Sequence, residues 1–131
     1  MPHISHDFLD EARRAIPEVS VEAVAARRTH GDEVVLLDVR EHEEVRAGYI
    51  EGAVTIPRCF LEFRAAEQLP QTDTDIVVYC ASGARSLLAA QVLRAMGYTR
   101  ACTRVSQKHH CATIYIVPRT SGIFTKTKGM I

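Results

Sequence analysis

The sequence has few cysteines and no long apolar run, and both shortages limit what the protein can be. Its four cysteines are Cys59, Cys80, Cys102 and Cys111. They form no Cys-x-x-Cys pair and no dense disulfide framework, which indicates a reducing compartment. No segment approaches the roughly 18 apolar residues of a membrane span, and residues 1–7 contain no apolar signal core. We therefore expect a cytoplasmic protein with no membrane partner.

Acidic residues are absent after Asp75, so charge is unevenly distributed along a chain whose net charge is zero. Residues 1–75 contain all 16 acidic residues and 8 Arg, a net charge of −8. Residues 76–131 contain 8 Lys and Arg and no acid, a net charge of +8. A basic end is typical of proteins that bind nucleic acid or small anions. We expect it to draw anionic substrates to a nearby site, with no nucleic-acid partner.

The sequence also lacks a second cluster of metal ligands. His109, His110 and Cys111 are adjacent, and such residues bind zinc when another pair of ligands lies at zinc spacing. No second cluster at that spacing exists in the chain. We therefore expect no metal site.

The most distinctive pattern lies between residues 76 and 86. Ile76–Tyr79 is apolar, β-branched or aromatic and follows a polar run, which predicts a buried strand. Cys80 ends this strand, small residues follow, and a helical apolar pattern begins at Leu87. We therefore predict that Cys80 lies at the carboxyl end of a strand, in a short loop before a helix. Open α/β sheets bind their ligands at such positions.

This setting favours a reactive thiolate at Cys80. Backbone N–H groups at a helix N-terminus are unsatisfied and carry partial positive charge, and Gly83 tolerates the positive φ that lets the loop curl around the sulfur. Arg85 adds a fixed positive charge and a planar fork suited to oxyanions. Such surroundings lower a thiol pKa from about 8.5 towards neutrality or below. A buried structural cysteine is the alternative interpretation, and the surrounding pattern favours the reactive one.

These residues resemble the rhodanese-like sulfurtransferases. The resemblance is carried by Cys80–Ser86, by Asp38–Arg40 and by Gly48–Pro57. It covers about residues 17–98. Tyr49 stands where the family usually has His, Glu51 stands where Pro is common, and the larger departure comes after Tyr98.

The resemblance implies transfer of a sulfane sulfur in two steps, without a cofactor. The Cys80 thiolate takes the outer sulfur of a small anionic donor such as thiosulfate and becomes a persulfide, which a thiol or cyanide acceptor then unloads. The implied substrate-binding residues are Ala81, Ser82, Gly83, Ala84, Arg85 and Ser86. Backbone N–H groups of residues 82–86 would hold the persulfide, Arg85 the donor's oxyanion, and Ser86 would donate a hydrogen bond or cap the helix. Asp38 and Arg40 are expected to fix neighbouring loops rather than to contact substrate.

Two other functions are compatible with the same pattern. Cysteine phosphatases and arsenate reductases on this fold place one residue more between Cys and Arg than the four that separate Cys80 from Arg85. The smaller loop suits a single sulfur atom. Some rhodanese-like domains are non-catalytic binding modules; the intact Cys80 argues against this interpretation, and the altered C-terminal third argues for it.

The chain alternates strands with helices, which predicts an α/β fold. We expect helices over residues 7–15, 20–29, 41–47, 60–69 and 86–96, and strands over residues 18–19, 34–39, 53–56 and 76–79. Alternation implies a parallel sheet with right-handed crossovers, and the resemblance implies about five strands with helices on both faces. We divide the chain into an N-terminal helical extension (1–16), a rhodanese-like domain (17–117) and a loose tail (118–131).

The C-terminal third departs from the family, because it contains no Gly-Gly pair and no Trp. The resemblance implies a last strand between the first strand and the catalytic strand. Ala101–Val105 needs only a short return from the preceding helix but contains Arg104, whereas Thr113–Val117 has a better strand composition but leaves a 14-residue connection. We predict that Ala101–Val105 is the last strand. A divergent family member and a shifted reading frame near residue 100 both remain open as origins of this segment.

Overall fold

The computed structural model describes residues 5–104, 116–117, 119–120 and 123–124. In this part of the chain the helices are α1 Ser5–Ala15, α2 Val21–His30, α3 His42–Ala47, α4 Leu61–Gln68 and α5 Ala84–Ala95, with a 3-10 helix at Arg58–Phe60. The strands are β1 Glu18–Val19, β2 Val34–Asp38, β3 Tyr49–Ile50, β4 Val54–Thr55, β5 Asp75–Tyr79, β6 Ala101–Arg104, β7 Ile116–Val117, β8 Arg119–Thr120 and β9 Ile123–Phe124. The predicted alternation of strands and helices is confirmed.

Five of these strands form one parallel sheet in the order β1-β6-β5-β2-β4. The central strand β5 pairs with β2 over its whole length, from Val34 opposite Asp75 to Asp38 opposite Tyr79. On its other side β5 pairs with β6, which in turn pairs with β1. The predicted α/β class with a five-stranded parallel sheet is therefore confirmed. Because Cys80 directly follows β5, it lies at the carboxyl edge of the middle of the sheet.

Helices cover both faces of the sheet, because successive residues of β5 point to opposite sides. Ile76 and Val78 belong to a buried cluster shared with α1, α4 and α5. Val77 and Tyr79 belong to a second cluster, built with α2. All four side chains are almost completely inaccessible. Burial on both faces explains the continuous apolar run in the sequence and fixes the strand that carries Cys80.

Local signals set the ends of the helices around the sheet. Ser20 caps α2 by accepting a hydrogen bond from the Ala23 N–H at 3.1 Å. The predicted start of α5 at Ser86 is wrong by two residues, because the helix begins at Ala84. Gly83 adopts φ 91° immediately before it, so the turn is complete before Ala84. Arg85 therefore belongs to the first helical turn and not to the loop.

The last strand of the sheet takes the place predicted for Ala101–Val105. Ala101–Arg104 pairs in parallel with both β5 and β1. Ala101 and Thr103 are buried, while Cys102 is half-buried against the cluster on the opposite face. Side chains thus alternate between the two faces over residues 101–103, whereas Val105 lies outside the described residues.

The remaining short strands pair outside the main sheet. β7 pairs with β3 in antiparallel orientation, and β8 pairs with β9 in the same way. The sequence pattern predicts neither pairing. The predicted loose tail over residues 118–131 falls mostly outside the described residues and stays a prediction, as does the absence of a metal site at residues 109–111. None of the described helices has both the length and the apolar character that crossing a membrane requires.

Candidate active site

Cys80 lies in the short loop that connects the central strand β5 to helix α5. Its side chain is buried, with 3% of the residue exposed. Two backbone N–H groups donate to its Sγ atom, that of Gly83 at 3.0 Å and that of Ser86 at 3.3 Å. Both belong to the start of α5, where backbone N–H groups have no partner within the helix. The sulfur therefore occupies the helix N-terminus, as the sequence predicts.

The pKa of Cys80 is lowered from its usual value although the side chain is buried. Burial by itself raises a thiol pKa, because it penalises the charged form. Hydrogen bonds from the side chain and backbone of Ser86, and from the backbone of Gly83 and Ser82, favour the thiolate and outweigh burial. Since the thiolate is the nucleophilic form of cysteine, the loop stabilises the reactive state.

The other predicted loop residues shape the backbone around the sulfur. Ala81 and Ser82 are exposed, and Gly83 and Ala84 are half-buried. Gly83 precedes α5 with φ 91°, a left-handed conformation that residues with a side chain rarely adopt. This conformation lets the N–H groups of Gly83 and Ser86 reach the same sulfur atom. A side chain at position 83 would strain the turn that forms the site.

Ser86 is fully buried and connects the cysteine loop to the last strand of the sheet. Its hydroxyl oxygen lies 3.1 Å from the Gly83 carbonyl oxygen and 2.9 Å from the Thr103 hydroxyl, and either hydroxyl can be the donor in that pair. The Thr103 hydroxyl lies 3.4 Å from the Val78 carbonyl oxygen. β6 therefore contributes a hydroxyl to the hydrogen-bond network behind Cys80. Sequence reasoning missed Thr103, because its contribution depends on where β6 lies in the sheet.

Arg85 is paired with Glu44, a residue that the sequence analysis does not include in the site. The Nη1–Oε1 and Nη2–Oε2 distances are 2.6 and 3.0 Å, so both carboxylate oxygens accept hydrogen bonds. The bond to Arg85 is the main cause that lowers the pKa of Glu44 to about 2. Glu44 is consequently charged at neutral pH. About a third of each side chain is exposed, 32% for Arg85 and 34% for Glu44.

Asp38 and Arg40 form a hydrogen-bonded unit next to the site. Asp38 is fully buried, and its carboxylate accepts hydrogen bonds from Arg40 Nε at 3.0 Å and Nη2 at 2.9 Å. The Tyr79 hydroxyl donates to the same carboxylate at 2.9 Å. Arg40 Nη2 also donates to the Gly48 carbonyl oxygen at 2.7 Å. The unit therefore ties the ends of β2 and β5 to the segment after α3. The supporting role of Asp38 and Arg40 in the reaction stays a prediction.

Two further cysteines lie in the described part of the chain. Cys59 is exposed, and Cys102 is half-buried. The Cys102 thiol donates to the Ile76 carbonyl oxygen at 3.5 Å, and its pKa is raised by burial and then by the charge of Asp75. Within residues 5–104 and the short strands that follow, no group of three or more His, Cys, Asp or Glu side chains is arranged to hold a metal ion.

Comparison with known proteins places this geometry in a family. Residues 20–106 match the family of the rhodanese-like domain. A sulfurtransferase from Allochromatium vinosum is 35% identical over 85 residues, which cover 65% of this chain and 78% of that protein. The human thiosulfate:glutathione sulfurtransferase is 41% identical over 78 residues, with coverage of 50% of this chain and 68% of that protein. Two other relatives are longer proteins, and the match covers 48% of the length of one and 29% of the length of the other.

Solved structures agree with the family match. A protein of unknown function from Rhodopseudomonas palustris, described as a possible tyrosine phosphatase, is 32% identical with a TM-score of 0.68. That match covers 79% of this chain and 88% of the other. Solved sulfurtransferase and rhodanese-like chains match with TM-scores of 0.61 to 0.66. The chain belongs to the rhodanese-like domain family.

Proposed function

We propose that the protein is a sulfurtransferase that carries sulfur as a persulfide on Cys80. The observation that carries this proposal is the pair of backbone N–H groups, from Gly83 and Ser86, that reach the Cys80 sulfur at 3.0 and 3.3 Å. They favour the thiolate before attack and stabilise an anionic terminal sulfur after it. The family match and a relative named as a sulfurtransferase support the same chemistry.

The first step is a displacement at the outer sulfur of the donor. With thiosulfate, the Cys80 thiolate bonds to that sulfur while the bond between the donor's two sulfur atoms breaks, and sulfite leaves with the electron pair. Cys80 then carries a persulfide anion, so the total charge is unchanged. In the second step a thiolate or cyanide attacks the terminal sulfur, and the Cys80 thiolate is the leaving group. Neither step consumes an oxidant or a cofactor.

The proposed donor is a small anion such as thiosulfate, and the proposed acceptor is a thiol or cyanide. The name of the human relative specifies thiosulfate and glutathione, which supports this choice for the present chain. A guanidinium has five N–H donors, and Glu44 accepts from only two atoms of the Arg85 fork. Arg85 therefore retains N–H groups for the oxygens of a donor.

Phosphatase activity is the second candidate, because the neighbour from Rhodopseudomonas palustris is described as a possible tyrosine phosphatase. One feature opposes it here. Only four residues separate Cys80 from Arg85, so the loop is small for a tetrahedral oxyanion. We expect no Cys80-dependent release of nitrophenol from p-nitrophenyl phosphate, and a non-catalytic binding module would show neither activity.

A thiosulfate:cyanide assay tests the proposed function. Wild-type protein should form thiocyanate, and Cys80→Ser should lower the rate by at least about a thousandfold because no thiolate is left to accept sulfur. Cys102→Ser is the matched control and should keep the wild-type rate. Thiosulfate alone should add about 32 Da, the mass of one sulfur atom, to the peptide that contains Cys80. Thiocyanate formation by Cys80→Ser, or an adduct on Cys59, Cys102 or Cys111 with Cys80 unmodified, would contradict the proposal.

A further inference from the structure

Glu44 brings a negative charge into a site whose backbone is arranged for anions. Its carboxylate accepts two hydrogen bonds from Arg85, at 2.6 and 3.0 Å. It also accepts a third, from the Glu41 backbone N–H at 3.2 Å, within the capping box that begins α3. Three hydrogen bonds from two elements hold the carboxylate in one place. The pair with Arg85 is therefore a built feature of the site, with a net charge of zero.

Other guanidinium groups at the same edge of the sheet are also balanced by carboxylates. Arg40 pairs with Asp38 at 2.9 Å. Arg58, whose backbone N–H bonds to the Val39 carbonyl oxygen, pairs with Glu62 at 2.6 Å. Among the residues that the structure describes, a donor that reaches Cys80 thus meets backbone N–H groups and these neutral ion pairs. A dianion interacts with a nearby charge twice as strongly as a monoanion. The carboxylate of Glu44 therefore repels a donor with two negative charges more strongly than a donor with one.

We propose that Glu44 sets the charge preference of the donor site: by neutralising Arg85, it favours donors with one negative charge over donors with two. This inference rests on the proposed sulfur transfer at Cys80. Thiosulfonates, R–SO2–S⁻, represent the monoanionic class, and thiosulfate represents the dianionic class. In both, the Cys80 thiolate bonds to the terminal sulfur as the sulfur–sulfur bond breaks. The electron pair leaves on a sulfinate in the first case and on sulfite in the second, so the reacting atoms are the same and the charge differs.

The kinetics of Glu44→Gln test this inference. Glutamine keeps the shape of the side chain, and its single amide oxygen can accept the two hydrogen bonds that Oε1 accepts from Arg85 Nη1 and the Glu41 N–H. Its NH2 group cannot accept from Arg85 Nη2, and the side chain carries no charge. The kcat/KM for thiosulfate should rise roughly tenfold and that for methanethiosulfonate about threefold, because the free-energy change for the dianion is twice that for the monoanion. Glu43→Gln, an exposed position on the same helix, is the matched control and should change neither donor by more than about twofold. Equal changes for both donors, or a fall for thiosulfate, would overturn the inference.

A second measurement separates this inference from the proposed function. Iodoacetate carries a negative charge and iodoacetamide carries none, and both alkylate a thiolate with loss of iodide. The ratio of the two alkylation rates at Cys80 should rise about threefold in Glu44→Gln and stay constant in Glu43→Gln. A raised ratio in a protein without sulfur transfer would leave the charge preference standing while the proposed function fails. An unchanged ratio in Glu44→Gln would overturn the charge preference even if sulfur transfer is demonstrated.

Discussion

Cys80 directly follows β5 and Cys102 lies in the neighbouring strand β6, yet the pKa values of the two thiols are shifted in opposite directions. Cys80 is the more buried of the two. Burial alone would make its thiol the weaker acid. Instead the pKa of Cys80 is lowered, because hydrogen bonds from Ser86, Gly83 and Ser82 outweigh burial. The pKa of Cys102 is raised by burial, and the charge of Asp75 adds to the effect.

The difference comes from the position of each cysteine along its strand. Cys102 lies within β6 opposite Val77, where backbone N–H groups are used by the sheet, and its thiol meets the Ile76 carbonyl oxygen. Cys80 lies one residue beyond the end of β5, where the N–H groups that begin α5 have no partner in a ladder. The pKa of these two thiols therefore depends on the strand end, where N–H donors converge, more than on burial.

We expect the largest effect from breaking the hydrogen-bonded unit of Asp38, Arg40 and Tyr79, which holds the end of β5 next to Cys80. Asp38 lies opposite Tyr79, the last residue of β5, and is fully buried. Asp38→Asn leaves the Arg40 guanidinium without its carboxylate, which should lower the free energy of unfolding by roughly 3–5 kcal/mol. Urea denaturation measures this loss.

The matched control for this variant is Asp32→Asn. The Asp32 side chain is 43% exposed and pairs with His30 and Arg27 at the protein surface. Its replacement should change the free energy of unfolding by less than about 1 kcal/mol, because exposed ion pairs contribute little. Similar losses for the two variants would show that the buried carboxylate has no special part in holding the end of β5.

Removal of Arg85 should have the next largest effect, confined to reactions at Cys80. Arg85→Ala removes a charge-assisted contact with an anionic donor, worth roughly 1.5–3 kcal/mol, so kcat/KM for thiosulfate should fall about ten- to a hundredfold, mainly through KM. Arg46→Ala, an exposed arginine of α3, is the control and should change kcat/KM by less than about twofold. Steady-state kinetics measure both. An unchanged kcat/KM in Arg85→Ala would mean that the backbone N–H groups are sufficient to bind the donor.

The contrast between the two cysteines also shows which features of the site can be predicted from the sequence. The position of Cys80 and its N–H donors is predictable because all of them lie within residues 80–86, where the glycine at position 83 determines the turn. The place of β6 is predictable for a similar reason, since only the short turn over residues 96–100 separates α5 from Ala101. The start of α5 is harder to predict, because Arg85 and Ser86 in its first turn lack the apolar pattern that begins at Leu87.

Contacts between distant segments are what the sequence does not predict. Glu44 and Arg85 are 41 residues apart, and so are Asp38 and Tyr79. The periodicity of α3 indicates which of its residues are buried. It does not indicate which arginine will pair with a carboxylate on the exposed side of the helix. The Ser86–Thr103 contact depends on the register of β6 against β5. For this reason the sequence predicts the position of Cys80 but misses the residue that pairs with Arg85.

The smallest effect is a difference in the pH dependence of alkylation at the two cysteines, and it tests the comparison most directly. The rate with iodoacetamide follows the thiolate fraction of each thiol. The rate at Cys80 should therefore rise with a midpoint below the value of about 8.5 for an ordinary cysteine, and the rate at Cys102 with a midpoint above it. Mass spectrometry of the separate peptides measures both rates in one sample, and Cys80→Ser provides the profile of Cys102 alone.

The lowered pKa of Cys80 also determines the sign of its effect on stability. A group that is more acidic in the folded state stabilises the fold above its ordinary pKa, and this stabilisation is lost as the pH falls through the folded value. Wild-type protein should therefore become more stable relative to Cys80→Ser as the pH rises towards about 8.5. Cys102→Ser should show the opposite trend, since a raised pKa favours the neutral thiol in the folded state. If both midpoints coincide and both stability differences are independent of pH, then the N–H groups at the strand end do not distinguish the two thiols, and Cys80 loses the property on which its proposed role depends.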